Sequence, residues 1–166
     1  EKVFKSKNTL YAIDEFKEYI NDLENIFSFS NDNGKIYLES LGNFDSGQQK
    51  RLISSKSKNA PEEIIRQLWV YKLINHYGYS KEQIALERYI TIGSTHFDKP
   101  VDIIVYSKTD QTTPKIIIEV KKPKRKDGLE QLKSYMEPQG SPLGMWSNGS
   151  DKVILYRPYP RDYDTV

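Results

Sequence analysis

The chain contains no cysteine, which excludes disulfides, thiolate zinc sites and cysteine nucleophiles. Only two histidines are present, His76 and His96, too few for a histidine-rich metal centre. An excess of one charge is missing as well: 25 Lys and Arg residues face 23 Asp and Glu residues, a net charge of +2. That balance permits a polyanionic partner without arguing for one. No apolar run approaches the ~20 residues of a membrane span, and no secretory leader pattern opens the chain. A cytoplasmic protein with no membrane partner is therefore expected. The first residue is Glu1 rather than Met, as in a processed chain or a piece of a longer one. Internal repeats, a phosphate-binding glycine loop and a dinucleotide fingerprint are all absent, so no ATP site is visible.

What is there suffices for one domain with a real core: 166 residues, 37% hydrophobic and 29% charged. Twelve tyrosines offer rings on which bases can stack, although tyrosines more often rim a core. Residues 1–58 read as an N-terminal helix and strand followed by a linker, and residues 59–166 as the core. Apolar residues at Ile13, Phe16, Ile20, Leu23, Ile26 and Phe27 have helical spacing. Asn31-Asp32-Asn33-Gly34 is a turn, and residues 35–39 a short strand. Residues 46–59, rich in Ser, Lys and Gln, read as a loop with little to bury.

Order resumes at Pro61, a favoured residue of a helix's first turn, with Glu62 and Glu63 at the positive end of the dipole. Ile64, Ile65, Leu68, Trp69, Tyr71, Leu73 and Ile74 continue that helix until Gly78 stops it. Residues 84–93, 101–107 and 115–121 read as strands, the last two joined as an antiparallel hairpin. Leu129, Leu132, Tyr135 and Met136 mark a second helix, and residues 143–146 and 153–156 a second hairpin about Asn148-Gly149. The predicted fold class is α/β, a mixed central sheet flanked by helices.

The strand Ile116-Ile117-Ile118-Glu119-Val120-Lys121 carries the chemistry. Strand alternation sends Glu119 and Lys121 to one face at the end of a buried run, where two charges are costly unless used. Asp102 opens the preceding apolar strand. Asp102 and Glu119 suit a hard divalent cation such as Mg²⁺, with the Val120 carbonyl as a third protein ligand. Lys121 would position the attacking water or stabilise developing charge. Singly, each of these is most often a solvated surface charge; their order and spacing together point to a metal-dependent nuclease site.

Around this centre stand further candidates. Gln131 and Tyr135, four apart, share one helix face. There an amide and a hydroxyl can hold a phosphate or a metal-bound water. Glu63 can hydrogen-bond a metal-bound water or act as an outer ligand, whereas Glu62 is placed to pair with Arg66. Lys122, Lys124, Arg125 and Lys126 follow the metal strand and are candidates for contacting a phosphate backbone, though a charge run is commonly a solvated loop.

Asp102, Glu119-Val120-Lys121 and Gln131-x-x-x-Tyr135 resemble the PD-(D/E)XK nuclease superfamily in its variant with a trailing Q-x-x-x-Y motif. With Pro61-Glu62-Glu63, Arg66-Gln67 and Ser147-Asn148-Gly149 they look more narrowly like the N-terminal nuclease domain of the type I restriction enzyme R subunit. The resemblance covers roughly residues 60–157. One departure is that Val101, not a proline, directly precedes Asp102; Pro100 lies one earlier.

The resemblance implies a restriction-endonuclease-like fold and cleavage of double-stranded DNA with Mg²⁺, or Mn²⁺ as a substitute. It assigns metal binding to Asp102 and Glu119, catalysis to Lys121, and assisting roles to Glu63, Gln131 and Tyr135. The phosphate backbone open to Lys122, Lys124, Arg125 and Lys126 becomes, on this resemblance, that of DNA. It also implies methylation and specificity subunits as partners within a full R subunit, and ATP only through a motor region absent from this sequence. Two alternatives stand beside it: a silent DNA-binding module of the same fold, and a stand-alone nuclease acting on RNA or damaged DNA.

Overall fold

The computed structural model describes residues 5–6, 9–10, 13–92, 95–96 and 99–166. Two short strands, β1 (Lys5–Ser6) and β2 (Thr9–Leu10), precede a 3-10 segment, Asp14–Asp22, and the single turn α1 (Leu23–Ile26). The expected N-terminal helix is thus mostly 3-10, with a kink at Phe16. The turn at residues 31–34 joins β3 (Phe29–Asp32) to β4 (Lys35–Glu39) as an antiparallel pair. After β5 (Asn43–Phe44) comes β6 (Lys50–Ser54), which pairs with β4.

Strand β6 corrects the reading of residues 46–59 as a loop with little to bury. Ile53 is 1% exposed and joins Leu38, Phe27 and Phe44 in the same core cluster as Ile64 and Leu68. Two apolar residues, Leu52 and Ile53, are too few to produce a readable period; pairing with β4 gives the segment its structure.

Helix α2 (Pro61–Asn75) has Pro61 in its first turn, two acids there and Lys72 in its last turn. It is buried on nearly every side of its first three turns, Glu63, Arg66 and Gln67 included. Ile65, Leu68 and Val70 are fully buried, each worth about 1.5–3 kcal/mol of apolar burial. Gly78, at φ +73, follows its end. The edge of Phe16 meets the Trp69 ring with centroids 5.1 Å apart, so the N-terminal segment covers this helix.

The central sheet follows. It contains β7 (Ile84–Arg88), β10 (Val101–Tyr106), β11 (Pro114–Val120), β12 (Leu143–Ser147), β13 (Lys152–Tyr156) and β14 (Asp164–Thr165). A separate small pair, β8 (Thr91–Ile92) and β9 (Thr95–His96), interrupts the order. The expected strand over 84–93 therefore ends at Arg88, and Gly93 lies outside the described residues. Spatial order is β14-β13-β12-β11-β10-β7-β5. Five neighbouring strands are joined by β7–β10–β11 and β12–β13 antiparallel pairings with a parallel β11–β12 pair between them. Strand β5 adds a second parallel pair against β7.

Helix α3 (Leu129–Gln139) makes the crossover between β11 and β12 and packs on both. The sheet thus separates two cores. Ile103, Val105, Ile118 and Val120 face the α2 side, while Ile104, Tyr106 and Ile117 face Leu132, Tyr135 and Met136 of α3. This mixed sheet between helices is the restriction-endonuclease-like α/β architecture expected above.

Candidate active site

The hairpin of β10 and β11 places the acids. Ile103 lies opposite Ile118, so Asp102 and Glu119 stand across from each other on the next pair, where side chains share a face. One turn of the strand zigzag further, Lys121 emerges on that face. Asp102, Glu119, Val120, Lys121 and Gln131 all line one cleft of about 350 Å³, with Glu62, Arg66, Glu87 and Lys99 also in its wall.

Glu119 is 1% exposed. Its Oε1 accepts a hydrogen bond from the Lys121 ammonium, whereas the buried Oε2 has no hydrogen-bond partner among the described residues. Burial, and next the charge of Asp102, push the Glu119 carboxyl up to about 8, against the pull of Lys121. A buried carboxylate in that condition is stabilised by a further cation. No group of three or more acidic, histidine or cysteine side chains that could hold a metal occurs among the described residues. A hard cation that keeps several waters needs only one or two carboxylates, and Asp102 and Glu119, with Val120 lining the same cleft, fit that donor set.

Lys121 owes its path to Gly128, the residue before α3. Gly128 sits at φ +112, and a Cβ there would lie 2.6 Å from Lys121 Cε. The Lys121 ammonium also donates to Gln131 Oε1 at 3.3 Å. Gln131 Nε2 in turn donates to the Tyr135 hydroxyl at 2.7 Å, which donates to the Lys99 carbonyl at 3.2 Å. Gln131 therefore reaches the cleft wall, while the Tyr135 ring, 2% exposed, sits behind it in the α3 core. Burial raises the Tyr135 pKa, which keeps its hydroxyl a donor.

The acids of α2 divide differently from the sequence expectation. Glu62 lines the cleft. Glu63, 6% exposed, is enclosed by Arg66 Nη1 at 2.6 Å and Gln67 Nε2 at 3.0 Å. Arg66 thus pairs with Glu63, not with Glu62. Burial raises the Glu63 pKa, against Arg66 and Gln67.

Of the basic loop, Lys122 and Arg125 reach the cleft; Lys126 lines a separate shallow pocket with Leu129 and Trp146, and Lys124 is exposed at φ +69. Arg125 makes a two-pronged pair with Asp127 at 2.5 and 2.6 Å. The loop is tied down by Trp146 Nε1 on the Asp127 carbonyl and Asn148 Nδ2 on the Arg125 carbonyl, both at 2.8 Å.

A family model, the type I restriction enzyme R protein N terminus, matches residues 61–164. The chain belongs to this family. The family places it in a restriction system with an endonuclease setting. No curated protein matches the chain. No helix among the described residues is long and apolar enough to cross a membrane.

Sequence reading missed Arg66, Glu87 and Lys99 as members of the cleft. A signal for Arg66 was present: it lies beside Ile64, Ile65, Leu68 and Trp69 in a mostly apolar helix, where a buried charge must find partners inside the protein. Glu87 carried no such signal, because its position depends on a left-handed backbone, φ +51.

Proposed function

We propose that this chain is the Mg²⁺-dependent endodeoxyribonuclease part of a type I restriction R protein, cutting phosphodiester bonds of double-stranded DNA. The observation that carries this reading is the convergence of Asp102, Glu119 and Lys121 on one cleft, with a buried Glu119 oxygen left without a partner. Asp102, Glu119 and the Val120 carbonyl would hold Mg²⁺ or Mn²⁺. The chemistry a bound Mg²⁺ supplies is a more acidic water and a counter-charge for the scissile phosphate. Lys121 orients that water or meets the charge developing on the phosphate oxygens. Gln131 fixes the Lys121 ammonium from the other side, and Tyr135 fixes Gln131. Glu62, rather than the enclosed Glu63, is the α2 acid placed to accept a hydrogen bond within the cleft.

Lys122 and Arg125 contact backbone phosphates at the cleft, and Lys124 and Lys126 extend that contact. Methylation and specificity subunits would be the protein partners in the assembled enzyme, with ATP used only by a motor region outside these residues. The test is relaxation of supercoiled plasmid in Mg²⁺. Asp102→Ala, Glu119→Ala and Lys121→Ala are each expected to abolish cutting. Equal cutting by wild type and all three variants would mean a contaminating nuclease and remove the support for this reading. Tight DNA binding with no cutting by wild type would favour the silent binding module.

A further inference from the structure

We propose that Arg66 is a positioning residue that aims Asp102 at the metal, braced through Glu87 by Arg51, a residue outside the family-matched region. This rests on the reading of Asp102 and Glu119 as metal ligands. Arg66 is 7% exposed, and a buried guanidinium persists only when carboxylates surround it. Three do so. Nη1 donates to Glu63 Oε2 at 2.6 Å and to Glu87 Oε1 at 2.8 Å, and Nη2 donates to Asp102 Oδ1 at 2.5 Å. Asp102 Oδ2 accepts the Val120 N–H at 2.7 Å. Asp102 is therefore gripped through both oxygens, one by α2 and one by β11. Each oxygen has a second lone pair, so the grip sets its direction without exhausting its capacity to accept.

Glu87 holds the other side of Arg66. It is a non-glycine residue at φ +51 within β7, a conformation that persists where the surroundings over-determine it. Its two oxygens are divided, Oε1 to Arg66 and Oε2 to Arg51. Arg51 in turn lies over the Phe44 ring, 4.2 Å from its centroid. A chain of alternating charges thus runs from β6 to the cleft: Arg51, Glu87, Arg66, Asp102. Gln67 closes it from behind by holding Glu63 and the Leu41 N–H. The orientation of a metal-ligating carboxylate is commonly fixed in this way by hydrogen-bonded partners that do not touch the metal.

Charge and position predict opposite effects at Arg51, and that separates them. Replacing Arg51 by Met removes a cation and frees a carboxylate near the cleft. Acting only as a neighbouring charge, Arg51 would oppose a divalent cation, and the variant would bind it more tightly. Acting as a brace, its loss loosens Glu87, Arg66 and Asp102, and binding weakens.

The experiment is Mn²⁺ binding to the whole chain, followed by the paramagnetic resonance of free Mn²⁺, with plasmid cutting in Mg²⁺ measured in parallel. Arg51→Met is expected to weaken Mn²⁺ about threefold to tenfold, and Arg51→Lys to restore most of it. Arg66→Lys keeps the charge but loses the fork, and is expected to weaken Mn²⁺ about tenfold or more. Circular dichroism confirms that each variant is folded; Arg51→Met, on a partly exposed pair, keeps the inference testable where Arg66→Lys does not fold. Unchanged or tighter Mn²⁺ binding by Arg51→Met overturns the brace. Asp102→Asn serves as the reference. If it binds Mn²⁺ as well as wild type, or wild type binds none, the metal reading itself fails.

Discussion

Gly128→Ala tests how the fold delivers Lys121 to the cleft. The substitution adds one methyl group at a backbone φ of +112, and that Cβ would stand 2.6 Å from Lys121 Cε and 3.2 Å from Trp146 Nε1. Two costs follow. Holding an L-residue in such a conformation costs about 1–3 kcal/mol. Disturbing the Trp146 hydrogen bond to the Asp127 carbonyl costs about 1 kcal/mol more. A total of about 2–4 kcal/mol lowers the melting temperature by roughly 5–15 °C for a chain of this size.

The larger effect falls on function, because the lysine is the softer object and must move. A displacement near 1 Å of a catalytic group can cost about a hundredfold in rate. Cutting by Gly128→Ala, measured well below its melting temperature, is expected to fall tenfold or more. Gly140→Ala is the control. It too has a left-handed backbone, with milder strain at φ +64, but lies away from Lys121, with Arg157 Nη2 at 3.9 Å as its nearest neighbour. It should lose stability and keep cutting. If folded Gly128→Ala cuts like wild type, Lys121 does not depend on this glycine and the reasoning is refuted.

Further expectations concern protons, hydroxyls and salt. Glu119 is held up to about 8 from an ordinary 4.5, so the folded metal-free protein keeps a proton that the unfolded chain releases. Its stabilising contribution is complete below about pH 4.5 and is lost as pH rises through about 8, at no more than about 1.4 kcal/mol per pH unit. Urea unfolding between pH 5 and 8 should show this decline in wild type and a flatter profile in Glu119→Gln; identical profiles would contradict it. Tyr135→Phe removes the hydroxyl that links Gln131 to the Lys99 carbonyl. It should lower stability by about 1 kcal/mol and reduce cutting with Mn²⁺ affinity nearly unchanged; undiminished cutting by the Gln131→Ala, Tyr135→Phe double variant would return the pair to packing. Replacing Lys122 by Ala should reduce the salt dependence of DNA binding by about one phosphate contact, and an unchanged slope would remove that contact.

Local pattern was enough for the elements that end in charge or turn. Pro61 with two acids announced α2, the β-branched run announced β11, and Asn148-Gly149 announced the second hairpin. Alternation with period two put Glu119 and Lys121 on one face, and the short connection to β10 put Asp102 opposite them. The helical spacing of residues 13–27 was legible but its 3-10 form was not, since the same spacing serves either helix type; the strand at residues 50–54 carries no period of its own and depends on what packs against it.

Geometry local to one strand or one hairpin was therefore determined by the sequence alone: that Asp102, Glu119 and Lys121 share a face. Tertiary structure decided everything that crosses between elements. It enclosed Glu63 and left Glu62 in the cleft, because α2 is turned so that Arg66 reaches β7 and β10 together. It set Tyr135 behind Gln131, because the sheet buries the ring and leaves only the hydroxyl facing the site. It also joined Arg51 to the cleft through Glu87, across 36 residues of chain. Periodicity reports which side of its own element a residue occupies; the partners waiting on that side are set by the packing of the whole chain.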